Sequence, residues 1–200
     1  MKISWLKHLA SYFYLVTIKK LNSDINPGLC LQMETGKLLL NTSNANYSYG
    51  NCHRVFEEVF EIIEIDKNPP ENVLILGFGS GGIVDIMQRQ YGFTPKITGV
   101  ELDSAVIQTL QFWDRLDLSK TDIICGDAFK VIDTLNSKFD LIIVDLFIDL
   151  NVAVGMQSNQ FMERLKFLTI SGGHIIINYV VNTKEQKQQF AEFQILLTRY

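Results

Sequence analysis

Val73-Leu74-Ile75-Leu76-Gly77-Phe78-Gly79-Ser80-Gly81-Gly82 organises the sequence on both sides of it. Four apolar residues run without alternation, as in a parallel strand buried on both faces. Glycines follow at once, and then Ile83, Ile86, Met87 and Tyr91 form the stripe of a helix. Gly77, Gly79 and Gly82 meet the G-x-G-x-x-G pattern in the strand-to-helix setting it requires. Bare backbone there lets a ligand come close. The helix N-terminus beyond it offers free N–H groups and the positive end of a dipole. A tight turn without a ligand is the plainer reading, and four glycines in residues 77–82 weigh against it.

Toward the C-terminus, strand and helix keep alternating. Strands are expected at residues 97–100, 122–125, 141–144 and 174–180. Helices are expected at 104–113 and 128–135, around Phe161, Leu165 and Leu168, and along Phe190, Phe193, Leu197 and Tyr200. Thr183 and Gln186 have the spacing of a capping box at the start of the last helix. Five strands alternating with helices imply an α/β fold with a doubly wound, mainly parallel sheet.

Toward the N-terminus the pattern changes. Residues 9–18 form an apolar run, expected as a buried strand from about Phe13. Residues 29–33 and 37–41 read as a hairpin joined by Glu34-Thr35-Gly36. Residues 41–50 read as a polar loop carrying Tyr47 and Tyr49. Phe56, Val59, Phe60 and Ile63 then mark a helix that Pro69 and Pro70 terminate. This divides the chain into a small β-rich extension, residues 1–52, and a Rossmann-like domain, residues 53–200.

The chain has 200 residues, 47% hydrophobic and 20% charged, enough to fold without disulfides or metal. Lys and Arg number 18 against 22 Asp and Glu, a net charge of −4, which argues against nucleic acid as a partner. Cys30, Cys52 and Cys125 suit neither a disulfide framework nor a metal site, so no metal is expected and a cytoplasmic location is. The run at residues 9–18 is too short to span a membrane.

Acidic residues stand where successive strands end. Glu101 lies nineteen positions past Gly82 and could accept both hydroxyls of an adenosine ribose. Asp103 is the lesser candidate, because it also makes a good N-cap. Asp127 and Asp145 follow the third and fourth strands. NAD and S-adenosylmethionine sites share the glycine loop and Glu101, and the acids after the later strands favour the second.

LILGFGSGGIV at residues 74–84, GVELD at 99–103, GDAF at 126–129, FDLIIVDLF at 139–147 and SGGHIIINYV at 171–180 together resemble class I S-adenosylmethionine-dependent methyltransferases, in the spermidine synthase-like branch. The resemblance covers about half of the chain. It implies that Gly77, Gly79 and Gly81 border the methionine part of S-adenosylmethionine or its decarboxylated form. Glu101 would hold the ribose, Asp127 would accept from the adenine amino group, and Ala128 would lie beside the ring. Asp145 would act at the reacting centre as the catalytic group, with Tyr49 second. Plainer readings stand beside these, with Asp127 as a helix cap and Asp145 as a solvated strand end.

Polyamine synthases of this branch usually carry Asp where Ser80 stands. They also read D-S-S-D-P where this chain has Asp145-Leu146-Phe147-Ile148-Asp149. A polyamine is a multiple cation and needs carboxylates to replace its water. Methyl transfer to a small-molecule nucleophile is therefore the expectation, ahead of aminopropyl transfer from decarboxylated S-adenosylmethionine to putrescine. An NAD-dependent oxidoreductase and a non-catalytic nucleoside-binding module are the other readings. Phe112, Trp113, Phe161 and Phe167 are expected in the core. The superfamily normally adds an antiparallel hairpin after the last helix, which this sequence lacks. Either it is a piece of a longer chain, or a partner subunit, in a homodimer, covers the fifth strand.

Overall fold

The computed structural model describes residues 3–42, 51–148, 151–153, 155–181 and 183–198. Along the chain, α1 (Trp5–Ala10) precedes β1 (Val16–Lys20), β2 (Cys30–Glu34), β3 (Lys37–Asn41) and α2 (Asn51–Ile62). Next come β4 (Asn72–Leu76), α3 (Gly82–Arg89), β5 (Lys96–Glu101) and α4 (Ser104–Ile107), which tightens into a 3-10 turn at Gln108–Phe112. The chain continues through β6 (Thr121–Cys125), α5 (Ala128–Thr134), β7 (Phe139–Val144), β8 (Phe147–Ile148) and β9 (Asn151–Val152). It ends with α6 (Asn159–Leu168), β10 (Thr169–Ile177) and α7 (Lys184–Leu197). Two compact units result, one from residues 1–69, 78–94 and 103–118 and the other from 70–77, 95–102 and 119–200.

The second unit contains a five-stranded sheet in the order β10-β7-β4-β5-β6, parallel throughout. The strand order reverses beside β4, since β5 and β6 build outward on one side and β7 and β10 on the other. Sheets of this kind bind ligands at the carboxyl ends of the strands flanking that reversal. Val73, Leu74, Ile75 and Leu76 are fully buried, as are Ile142, Ile143 and Val144, which explains their unbroken apolar runs. Ile132, Phe161, Met162, Leu165, Leu168 and Phe193 complete that core. The expected doubly wound class corresponds to this parallel sheet and its separate antiparallel companion.

β10 starts at Thr169, directly after α6, and not at residue 174 as expected. Gly172 adopts φ +80°, and the pairing with β7 shifts between Thr169 and His174. An irregularity at residues 171–173 thus lets the strand begin early. The expected helix at 104–113 forms over 104–112, with its second half wound as the 3-10 turn. Asp103 caps α4 by accepting from the Ala105 N–H at 2.8 Å, and Thr109 Oγ1 donates back to the Val106 carbonyl at 2.6 Å in the tightened turn. Phe161 is buried, but Phe167 is not in the core. It is 53% exposed, with Lys138 and Arg164 cations 4.3 and 4.8 Å from its ring.

In the first unit, β1, β2 and β3 form an antiparallel sheet. The expected buried strand from Phe13 is corrected: residues 5–10 are helical, β1 starts at Val16, and Trp5, Phe13 and Tyr14 are 71%, 80% and 65% exposed. Burial falls instead on Ser11. Its carbonyl accepts from the Thr35 N–H at 2.7 Å, and its Oγ accepts from the Gly36 N–H at 3.0 Å while donating to the His8 carbonyl at 2.6 Å. Thr35 and Gly36 both have positive φ, 47° and 77°, as a two-residue hairpin turn with the right twist requires. Ser11 therefore holds a β-branched residue in a backbone region it disfavours. Ser11→Ala leaves the Gly36 N–H without this partner and is expected to cost about 1–3 kcal/mol, read as a lower denaturation midpoint.

Among the described residues, no helix is long and apolar enough to cross a membrane.

Candidate active site

The centre of the site lies where β4, β7 and β10 end. The Asp145 N–H donates to the Leu76 carbonyl at 2.8 Å, and the Asn178 N–H donates to the Val144 carbonyl at 2.9 Å. These bonds carry the parallel pairing one residue past the strands and bring Asp145 and Asn178 side by side. The Asn178 Nδ2 donates to Asp145 Oδ1 at 2.8 Å. Gly77, the first residue after β4, presses its bare Cα against the Asp145 backbone. A Cβ at Gly77 would lie 2.1 Å from the Asp145 carbonyl oxygen. The glycine requirement at this position therefore comes from a neighbouring strand end, whereas the sequence pattern attributes it to a ligand.

Asp145 is half-buried. Burial raises its carboxyl pKa from 3.8 to about 6, and the hydrogen bond from Asn178 pulls in the opposite direction. Of the two, desolvation is the larger cause. A carboxylate with this value binds a proton far more readily than an ordinary one and still sheds it at neutral pH.

Glu101 and Asp127 stand at the ends of β5 and β6. Glu101 is buried, and its carbonyl accepts from the Gly126 N–H at 2.9 Å, which fixes the start of the turn toward Asp127. Asp127 caps α5, its Oδ1 accepting from the Phe129 N–H at 3.0 Å. A cap uses one carboxylate oxygen, and the side chain is half-buried. Ala128 is 6% exposed and belongs to the core cluster. This edge of the sheet offers acceptors, which suits a ligand presenting hydroxyl and amino donors, as an adenosine group does.

In the first unit, Gly79 has φ +57° with no atom of the described residues within 4 Å of where a Cβ would stand, and Gly81, with φ +83°, is the N-cap of α3. Asp103 accepts from Ser23 Oγ at 2.5 Å, Asn26 Nδ2 at 2.6 Å and the Ala105 N–H, and so caps α4. Tyr47, Tyr49 and Asp149 lie outside the described residues. Asn178 is the site residue that sequence reasoning missed. Its one signal is the polar break that ends the apolar run Ile175-Ile176-Ile177.

A family model described as the spermine/spermidine synthase domain matches residues 33–196. A polyamine aminopropyltransferase of Sulfolobus acidocaldarius is 31% identical over 128 residues, covering 60% of this chain and 42% of that protein. One of Thermoplasma volcanium is 30% identical over 129 residues, covering 61% and 46%. The chain thus spans less than half the length of these curated relatives. The spermidine synthase of Thermotoga maritima superposes with a TM-score of 0.63 at 13% identity, covering 89% of this chain and 61% of that one, which shows a shared fold.

Proposed function

The chain belongs to the spermine/spermidine synthase family, and on that premise we propose that it transfers an aminopropyl group from decarboxylated S-adenosylmethionine to a small-molecule amine. The sequence favours methyl transfer because the usual polyamine-binding acids are missing. The relatives named as aminopropyltransferases support the other reading despite those replacements. The observation that carries the proposal is the position of Asp145 at the reversal of strand order, desolvated and hydrogen-bonded.

The nucleoside, when bound, supplies a sulfonium that is its own leaving group. In this proposal Glu101 accepts from the ribose hydroxyls and Asp127 from the adenine amino group, with Ala128 beside the ring. Gly77, Gly79 and Gly81 border the chain that carries sulfur. Asp145 orients the acceptor amine behind the transferring carbon and takes the proton it sheds. Residues 1–52 serve as the extension and substrate loop, with Tyr49 as a second group at the amine, and residues 53–200 hold the nucleoside. A cytoplasmic homodimer completes the proposal.

Calorimetry with decarboxylated S-adenosylmethionine and 5′-methylthioadenosine tests the nucleoside part. Glu101→Gln removes the charge from the acceptor and is expected to weaken binding about ten- to a hundred-fold. Equal affinity in a folded variant contradicts the assignment of Glu101.

A further inference from the structure

We propose that Asn178 is the positioning residue of Asp145, holding its carboxyl in one orientation through Oδ1 so that Oδ2 is presented to the acceptor amine. The proposal rests on the reading of Asp145 as the group at the reacting centre. Its basis is geometric. The contact is 2.8 Å, and the backbones on both sides of it are fixed. Asp145 is anchored by its N–H to Leu76 and by its close packing on Gly77. Asn178 is anchored by its own N–H to Val144. The next residue, Tyr179, accepts from Gln157 Nε2 at 2.7 Å and packs against Phe190 and Phe193 with ring centroids 5.0 and 5.8 Å away. These contacts hold the backbone after β10 beside the end of β7, within reach of the Asp145 carboxyl.

The choice of amide matters chemically. A lysine or arginine in this position would pair with the carboxylate and suppress its affinity for a proton. An amide donor fixes one oxygen, adds no charge and leaves the group basic. The strands flanking β7 present no competing charge. β4 has no ionisable side chain, and the only one on β10 is His174, opposite Leu141 near the other end of β7. Among the described residues, burial raises the Asp145 carboxyl and the Asn178 hydrogen bond lowers it.

The test follows the Asp145 carboxyl by carbon-13 NMR, assigned by its loss in Asp145→Asn, alongside the pH profile of kcat/KM. Asn178→Ala is expected to raise the titration midpoint and the acidic limb together, by about half to one pH unit. Turnover should fall while nucleoside affinity changes less than about two-fold. Asn178→Ser, a shorter donor, should recover part of the midpoint. Asn178→Asp keeps the volume but substitutes a carboxylate for the donor, and should move the midpoint further upward than Ala does. It provides the reading if the alanine variant does not fold. An unchanged midpoint in a folded Ala or Asp variant overturns the proposal. If the midpoint moves but the wild-type protein transfers nothing, the Asn178–Asp145 pair is supported and the transfer reading fails.

Discussion

Gly77→Ala is expected to abolish transfer and to destabilise the protein by more than about 3 kcal/mol. Two costs add. A residue with a side chain resists the φ of +85° found at Gly77, by about 1–2 kcal/mol. The new Cβ would also lie 2.1 Å from the Asp145 carbonyl oxygen and 2.8 Å from its carbon. Those atoms are backbone at the end of β7, tied to β4 by the hydrogen bond between Asp145 and Leu76, so neither can rotate aside. Either the strand ends separate or Asp145 leaves its place, and both outcomes disable the site. Gly79→Ala is the control. It carries the same kind of backbone strain at φ +57° but meets no atom of the described residues within 4 Å, so about 1–2 kcal/mol is expected. Thermal denaturation of the two variants reads the difference. Equal stability would show that the approach of Asp145 to Gly77 does not constrain the loop.

Asp145→Asn should make the protein more stable at neutral pH while reducing transfer at least about a hundred-fold. The folded state raises this carboxyl from 3.8 to about 6, so folding favours its protonated form. That contribution is fully present below about pH 4 and is lost as pH rises through 6. At pH 7.5 the ionised group costs up to about 3 kcal/mol, and an asparagine, which can still accept from Asn178, avoids most of that cost. A gain of about 1–3 kcal/mol at pH 7.5, shrinking toward zero at pH 4, is the expected pattern in urea denaturation. Destabilisation at neutral pH would mean that the carboxylate is not desolvated. If Asp145 takes the proton in the proposed transfer, the same titration is expected to give an acidic limb near pH 6, where the protonated group no longer accepts from the amine.

Local signals in the sequence were well kept by the fold. The Thr183–Gln186 capping box forms in both directions, at 3.0 and 3.1 Å. Asp103 and Asp127 both cap helices, and the apolar runs become the buried centre of the parallel sheet. Such features depend on residues two to four apart, where pattern and structure share one geometry. What was hidden depends on distant parts of the chain. The need for glycine at 77 is set by residue 145, and the partner of Asp145 is residue 178. The N-terminal aromatics look like core by composition, yet it is Ser11 that the hairpin turn buries. Composition records how apolar a segment is, whereas its burial depends on what packs against it. The replaced acids favour methyl transfer because they describe one loop, whereas the family match, which favours the aminopropyl reading, spans residues 33–196.

The most direct measurement incubates the protein with an amine and either decarboxylated S-adenosylmethionine or S-adenosylmethionine, and follows the products by mass spectrometry. Aminopropyl transfer predicts 5′-methylthioadenosine and an amine one aminopropyl group heavier, from the decarboxylated donor alone. A methylated acceptor with S-adenosylhomocysteine, or no product from either donor with any amine, would contradict it.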